Sequence, residues 1–152
     1  MKKQMFASAA LSLAAFWSAG ALAQAKPETL AAQRHAAMEL QGKYLYSLLP
    51  MAQGKAPYDA RIVARNVEYL GVLTQMPWDG FTPETANVPN TRALPEIYKD
   101  PAAFKQKIDA NRAQYDKLVA TVKTGNEAAI KEGLVEYNRS CNSCHDQFRA
   151  KR

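Results

Sequence analysis

Apolar residues recur at intervals of three and four along most of the chain, the spacing that places them on one face of an α-helix. The pattern predicts four helices, which run from about Glu28 to Leu49, Asp59 to Gln75, Asp100 to Gly125 and Asn126 to Phe148. No long run alternates apolar and polar residues as a half-buried strand does. The sequence therefore predicts an all-α fold, and two short connections with one long one predict an antiparallel four-helix bundle.

Residues typical of helix ends support these bounds. Pro50 is expected to stop the first helix, because proline lacks the N–H that a helix interior needs. Asp59 is a suitable N-cap for the second helix, and Asp100, followed by Pro101, for the third. Gly125 is suited to the left-handed conformation in which many helices end. These signals predict where each helix begins or ends independently of the apolar pattern.

The long connection between the second and third helices is rich in proline. Residues 76–99 contain Pro77, Pro83, Pro89 and Pro95. Each proline removes a backbone donor and restricts the residue before it, so no long helix is expected here. A loop of this length in a small domain is usually functional or packed on the surface.

Residues 1–23 have the features of a cleaved secretory signal peptide. Lys2 and Lys3 form a positive start, an uncharged apolar run follows, and Ala21-Leu22-Ala23 is a small-x-small cleavage site. The alternative is a membrane anchor, but the apolar run is short for spanning. The mature domain is then expected to be residues 24–152, in an oxidising bacterial periplasm, with no further membrane span.

Composition and charge exclude several classes of protein. Hydrophobic residues make up 47% of the chain and charged residues 22%, which is a globular and not a disordered composition. The formal net charge is +6, and about +4 remains once Lys2 and Lys3 are removed. No arginine-rich run or nucleic-acid motif accompanies this charge, so nucleic acid is not an expected partner.

The sequence Cys141-Asn142-Ser143-Cys144-His145 carries the most specific chemistry. Residues three and four apart share a face of a helix, so both thiols and the imidazole point to one side. Each thiol can add to one vinyl group of a haem, and the adjacent histidine then supplies an iron ligand. The C-x-x-C-H pattern therefore predicts one covalently attached haem c, with His145 on the iron.

Other chemistry for these residues remains open. Two cysteines in an exported protein can form a structural disulfide, although that would not require the adjacent His145. A thioredoxin-like dithiol needs a neighbouring βαβ unit, which the sequence does not predict. A zinc site needs four ligands, and His35 is the only further histidine available to join the motif. A non-haem dithiol module is thus the alternative of another class.

The chain resembles cytochrome c′, the class II c-type cytochromes, across essentially all of its mature length. The segments that carry the resemblance are Arg34-His35-Ala36-Ala37-Met38, Gly54-Lys55-Ala56-Pro57-Tyr58-Asp59, Pro77-Trp78, Pro95-Glu96-Ile97-Tyr98, Phe104-Lys105-Gln106-Lys107 and Cys141-x-x-Cys144-His145-Asp146-x-Phe148-Arg149. The haem motif near the C-terminus is itself typical of this class.

The resemblance implies a fold, a cofactor and partners. It implies a four-helix bundle, commonly a homodimer, in which His145 is the proximal iron ligand and Arg149 lies on the proximal side. The sixth iron position is open in most members and binds nitric oxide and carbon monoxide. Periplasmic electron transfer with redox partner proteins is the other role implied. Enzymatic turnover is not expected, since Asp146 is the only acid close to the motif and no nucleophile–base pair is evident elsewhere.

The resemblance also assigns the remaining site residues. Arg34 matches a residue that contacts a haem propionate, and a guanidinium suits a carboxylate. His35 stands where the family often has Gln and is expected at a propionate too, and Arg92 in the long loop is a further candidate haem contact. Met38 matches the distal position, opposite His145. Its thioether either packs and leaves the iron five-coordinate or binds the iron as in low-spin electron carriers.

Overall fold

The structure, a computed structural model, describes residues 25–151. Four long helices form the bundle, and the α-helices of these residues are, in chain order, α1 (Pro27–Tyr46), α2 (Leu49–Ala52), α3 (Ala60–Leu73), α4 (Glu96–Lys99), α5 (Pro101–Thr124) and α6 (Glu127–Phe148). Helix α1 packs on α3, α3 on α5, and α5 on α6. Residues 25–151 contain no strand, so the predicted all-α four-helix bundle is confirmed. The predicted signal peptide, residues 1–23, lies outside the described residues.

Local capping explains where the long helices begin. Asp59, Asp100 and Asn126 each accept a hydrogen bond from a backbone N–H in the first turn of the following helix. These bonds satisfy donors that have no partner within a helix. Gly125 has φ of 69°, which a residue without Cβ adopts freely, and it ends α5 as predicted.

Pro50 does not end the first helix, and that prediction is wrong. Helix α1 ends at Tyr46, and Pro50 lies in the first turn of the separate short helix α2. Proline is compatible with a first turn because the N–H it lacks would have no partner there. The intervening bend places Leu48 in the core, where its side chain is fully buried.

The long loop contains more regular structure than the prolines suggested. It holds two single turns of 3₁₀-helix, Trp78–Gly80 and Pro83–Thr85, and then α4. Each of these turns begins at or next to a proline, and each is followed by another, Pro83, Pro89 or Pro101, which limits how far it can continue. No helix within residues 25–151 is both long and apolar enough to cross a membrane.

The end of this loop is paired with the end of α6. The N–H of Leu94 donates to the carbonyl of Phe148 (3.0 Å), and the N–H of Ala150 donates to the carbonyl of Arg92 (2.9 Å). Between them, Ala93 and Arg149 form an isolated antiparallel bridge. The residues that follow His145 are therefore held to the loop by two backbone hydrogen bonds.

The buried side chains form two separate clusters. The larger cluster joins all four long helices through Leu45, Leu48, Val63, Val67, Leu70, Leu118, Ile130, Leu134 and Tyr137. The smaller one consists of Ile97, Phe104 and Phe148, with loop residues packed against it. Cys141 packs on the larger cluster and Cys144 on the smaller one. The two thiols therefore lie where the two clusters approach each other along α6.

Candidate functional site

A cavity of about 970 Å³ opens between α1, α6 and the long loop. This volume is at the upper end of the range for small-molecule and cofactor sites. Apolar and aromatic side chains supply much of the wall, among them Leu45, Leu70, Trp78, Phe81, Ile97, Phe104 and Phe148. The structure also brings to this wall all eight residues predicted from the sequence: Arg34, His35, Met38, Arg92, Cys141, Cys144, His145 and Arg149.

Both cysteines are free thiols, partly buried in the cavity wall. Burial raises the pKa of Cys141, and it raises the pKa of Cys144 to about 11 against the opposing effect of Lys107. The Nδ2 amide of Asn111 donates to the Cys141 sulfur at 3.4 Å. Reactive dithiols have lowered pKa values, so this environment does not favour the dithiol alternative.

The zinc alternative would require His35 to join the cysteine motif. His35 lies instead at the edge of the cavity on α1, where its Nε2 stands 3.3 Å from Glu39 Oε1 and both side chains are exposed. Among residues 25–151, no group of three or more His, Cys, Asp or Glu side chains is placed to hold a metal ion.

His145 is held as a neutral imidazole. Burial lowers its pKa to about 4, and the positive charges of Arg149 and Arg92 act in the same direction. Its Nδ1 is buried and has no hydrogen-bond partner within the described part of the chain. The neutral ring is the form that binds metals. A neutral imidazole of this kind is suited to bind the iron of a cofactor.

Two arginines flank His145 on the loop side. Arg92 donates from Nε to the carbonyl of Ala150 at 3.2 Å, and its guanidinium makes a second bond to the same oxygen. Arg149 follows the end of α6 and is exposed. Together with Asp146 and Lys151 they also line a smaller pocket behind the histidine, of about 430 Å³.

Arg34 is buried and bonded to the long loop. Its Nη1 donates to the carbonyl of Gly80 (2.6 Å) and to Thr85 Oγ1 (2.8 Å), and its Nη2 donates to Thr91 Oγ1 (2.6 Å). The guanidinium also lies 4.7 Å from the centre of the Phe81 ring. Arg34 therefore fixes the loop against α1, a role that the sequence did not reveal.

The fit between Arg34 and the loop depends on glycine at position 80. A Cβ at Gly80 would stand 2.8 Å from the Cβ of Arg34 and 2.8 Å from the Leu30 carbonyl oxygen. Both distances are too short for unshifted atoms. Within residues 25–151, no carboxylate lies within 4.0 Å of the Arg34 guanidinium. A buried positive charge without an anionic partner is costly, so an anionic group in the cavity would stabilise it.

Met38 lies on the α1 wall of the cavity and is partly buried. Its sulfur is 4.0 Å from the Nε2 of Gln41, one turn later on the same helix. Gln41 is not among the site residues predicted from the sequence. The structure shows it as a polar group beside the thioether.

Several further wall residues were missed by the sequence reasoning. Phe104 packs edge-on against Phe81 (4.9 Å between ring centres) and Phe148 (5.2 Å), forming one aromatic wall. Tyr137 is 1% exposed, and its hydroxyl has no partner among the described residues. Asn111 lies beside Cys141 on α5. The pairing of Phe81 with Phe104 joins the loop to α5, and no local sequence pattern encodes that.

Comparison with known proteins decides the family. The family model described as cytochrome C′ matches residues 29–149. The chain belongs to the cytochrome c′ family. Cytochrome c′ from Rubrivivax gelatinosus is 37% identical over 126 residues, covering 83% of this chain and 98% of that protein. Cytochrome c′ from Alcaligenes xylosoxydans xylosoxydans is 36% identical over 128 residues, covering 84% and 98%.

Solved cytochrome c′ structures share the fold. The crystal structure of the Rubrivivax gelatinosus protein superposes with a TM-score of 0.78, covering 82% of this chain and 97% of that one. A nitric oxide complex of an Alcaligenes xylosoxidans cytochrome c′ variant is 36% identical and gives a TM-score of 0.78, covering 85% and 99%. Family membership implies a haem c cofactor with its iron, and cytochromes c′ are haem proteins not generally classed as enzymes.

Proposed function

We propose that this cytochrome c′ is an exported protein with one covalently bound, five-coordinate haem c that binds nitric oxide and carbon monoxide and takes part in electron transfer. The observation that carries the proposal is the placement of Cys141, Cys144 and His145 on one side of the cavity with Met38 on its α1 wall. The bound nitric oxide in the related Alcaligenes structure supports the choice of ligand.

Cys141 and Cys144 would hold the haem through two thioethers, since a thiol can add across a vinyl group with its sulfur on one carbon and its hydrogen on the other. No external oxidant is needed for this addition. The thiols of Cys141 and Cys144 lie three residues apart on the cavity side of α6, which suits two vinyl groups on neighbouring pyrroles.

The other wall residues orient the haem and exclude water. Bound haem c supplies an iron that binds a diatomic gas and exchanges one electron. His145 would offer its neutral imidazole to that iron, on the part of the cavity wall that Arg149 also lines. Arg34 retains N–H groups that are not used by the loop and lacks a carboxylate partner, which suits a propionate. His35 and Arg92, also on the wall, are the further propionate candidates.

Met38 supports a second candidate function. Because its thioether lies in the cavity wall, it is available as a sixth ligand, which would make the protein a low-spin electron carrier. The contact with Gln41 favours the open site, since it engages the sulfur with a group of the protein.

Visible absorption spectra test this choice. We expect the purified ferric and ferrous proteins to be high-spin, and we expect the ferrous spectrum to shift when carbon monoxide is added, because the sixth position is open. Sharp low-spin bands that do not respond to carbon monoxide would instead establish ligation by Met38. A colourless protein from a host competent in cytochrome c maturation would exclude both functions and leave the dithiol module.

Export is part of the proposal. The charged start, apolar run and Ala21-Leu22-Ala23 site support cleavage before Gln24, which would leave residues 24–152 as the mature haem domain in the periplasm. That compartment would also contain the redox partner proteins with which the haem exchanges electrons.

A homodimer is supported by an exposed apolar surface on α1 and α3. The large apolar side chains that are exposed in the described chain are Leu40, Tyr46, Tyr69, Val72 and Met76, with Val72 64% exposed. All of them lie on α1, on α3 or just after α3. A surface of this kind on one side of a bundle is typical of a protein–protein interface.

Val72→Asp should weaken that dimer. Placing a carboxylate in the middle of an apolar interface removes apolar burial and brings two like charges together across a twofold axis. We expect the dimer dissociation constant to rise by at least about tenfold, corresponding to about 1.4 kcal/mol. Analytical ultracentrifugation of the holo-protein measures this, with Ala120→Asp, at an exposed position of α5, as the matched control. An unchanged dissociation constant for Val72→Asp would place the interface elsewhere.

A further inference from the structure

Gln41 makes two contacts that fix its side-chain amide. Its Nε2 donates to the backbone carbonyl of Leu73 at 3.0 Å and lies 4.0 Å from the sulfur of Met38. A carbonyl oxygen can only accept, so the nitrogen of the amide and not its oxygen must face Leu73. This bond occupies one amide hydrogen and leaves the other for the thioether.

The position of Leu73 makes this arrangement specific to the fold. Leu73 is buried and is the last residue of α3, and Gln41 lies on α1. The amide therefore joins the two helices at the same point at which it meets the sulfur. Without such a contact, a methionine with three rotatable bonds could take up several positions in the cavity.

The single sulfur atom of the Met38 thioether can make only one of two competing interactions at a time. It can accept a weak hydrogen bond from an amide, or it can turn into the cavity and bind a metal. In the structure the sulfur lies against the Gln41 amide, and Met38 is only partly buried, so the side chain has room to move. A weak contact is sufficient to decide between two such positions when their free energies are close.

We propose that Gln41 is a positioning residue that holds the Met38 sulfur away from the haem iron and so keeps the sixth position open. The inference rests on the proposed five-coordinate haem and extends it by naming the residue that maintains it. Gln41 itself touches neither the iron nor the gas in this role. It acts through Met38.

Gln41→Leu in the haem-loaded protein tests the proposal. Leucine keeps the apolar volume but has no N–H, so the sulfur loses its partner. We expect the ratio of Met-bound to Met-free haem to rise by about twofold to threefold, because the loss of an ordinary hydrogen bond corresponds to about fivefold and a contact to a thioether is weaker. Electron paramagnetic resonance of the ferric protein measures the low-spin fraction. Carbon monoxide should bind correspondingly more slowly, since the sulfur must leave first.

Two controls separate this mechanism from a general disturbance. Gln33→Leu changes an exposed glutamine on the same helix and should leave both readouts unchanged. The double variant Gln41→Leu/Met38→Leu should return to high-spin, because no sulfur is left to bind. Gln41→Asn, too short to reach both partners, is the second test variant if Gln41→Leu does not fold.

The possible results distinguish a failure of this inference from a failure of the proposed function. A high-spin wild type with an equally high-spin Gln41→Leu variant and an unchanged carbon monoxide rate overturns the role of Gln41 alone. Low-spin character that persists in the double variant also overturns it, since another group must then be the ligand. A low-spin wild type overturns the five-coordinate haem itself, and with it this inference.

Discussion

Haem should become extractable into acidified organic solvent when Cys141 and Cys144 are both replaced by alanine. In the proposed site these two side chains form all of the covalent links to the cofactor. The effect is expected to be complete, because a thioether does not exchange under these conditions and a haem without one is held only by contacts and by His145. Solvent extraction followed by absorption of the two phases measures it.

The single variants provide the internal comparison. Cys141→Ala and Cys144→Ala should each retain one thioether, so the haem should stay with the protein while its absorption bands shift toward those of a haem that keeps one vinyl group. Ser140→Ala and Ser143→Ala, on the same helix, should leave the attachment intact. Haem that remains covalently bound in the double cysteine variant would refute the assignment of both thiols.

Arg34→Met should lower the free energy of unfolding by about 3 kcal/mol, because it removes three hydrogen bonds between α1 and the loop, each contributing about 1 kcal/mol. The side chain is 6% exposed and donates to Gly80, Thr85 and Thr91, which span three parts of the long loop. Methionine preserves much of the length and apolar contact but none of the donors. Denaturant unfolding of the haem-loaded protein, followed by circular dichroism, measures the change.

Exposed Arg61 is the matched control. Its side chain is 93% exposed and stands 3.7 Å from Asp59, so Arg61→Met should change the free energy of unfolding by less than about 0.5 kcal/mol. Thr91→Val removes only one of the acceptors of Arg34 and should fall between the two variants. If Arg34→Met were as stable as the Arg61 variant, the bonds between α1 and the loop would contribute nothing to the fold.

The features that could be predicted correctly from the sequence are those that depend only on residues close together in the chain. The caps at Asp59 and Asp100 act within one turn, so their residue types are sufficient to place them. The C-x-x-C-H motif is likewise complete within five residues. The proline at position 50 was misinterpreted because its effect depends on whether it falls inside a helix or in a first turn, and the bend before it is determined by the burial of Leu48.

What the sequence did not predict depends on residues far apart in the chain. Arg34 contacts Gly80 and Thr91, which are 46 and 57 positions away, and only the folded loop brings them together. Gln41 meets Leu73 across two helices, 32 positions apart. A sequence pattern can place Gln41 on an inward face of α1, but it cannot indicate that the Leu73 carbonyl and the Met38 sulfur lie within reach of its amide.

The short backbone pairing between Arg92 and Ala150 has a consequence for the proximal side. Helix ends ordinarily fray, and His145 lies in the last turn of α6. Because the residues after this turn are hydrogen-bonded to the loop, we expect the last turn of α6, which carries His145, to unfold only together with the end of the loop, as one cooperative unit. A substitution at positions 92–94 can therefore change how firmly the His145 ring is held without any direct contact with the ring.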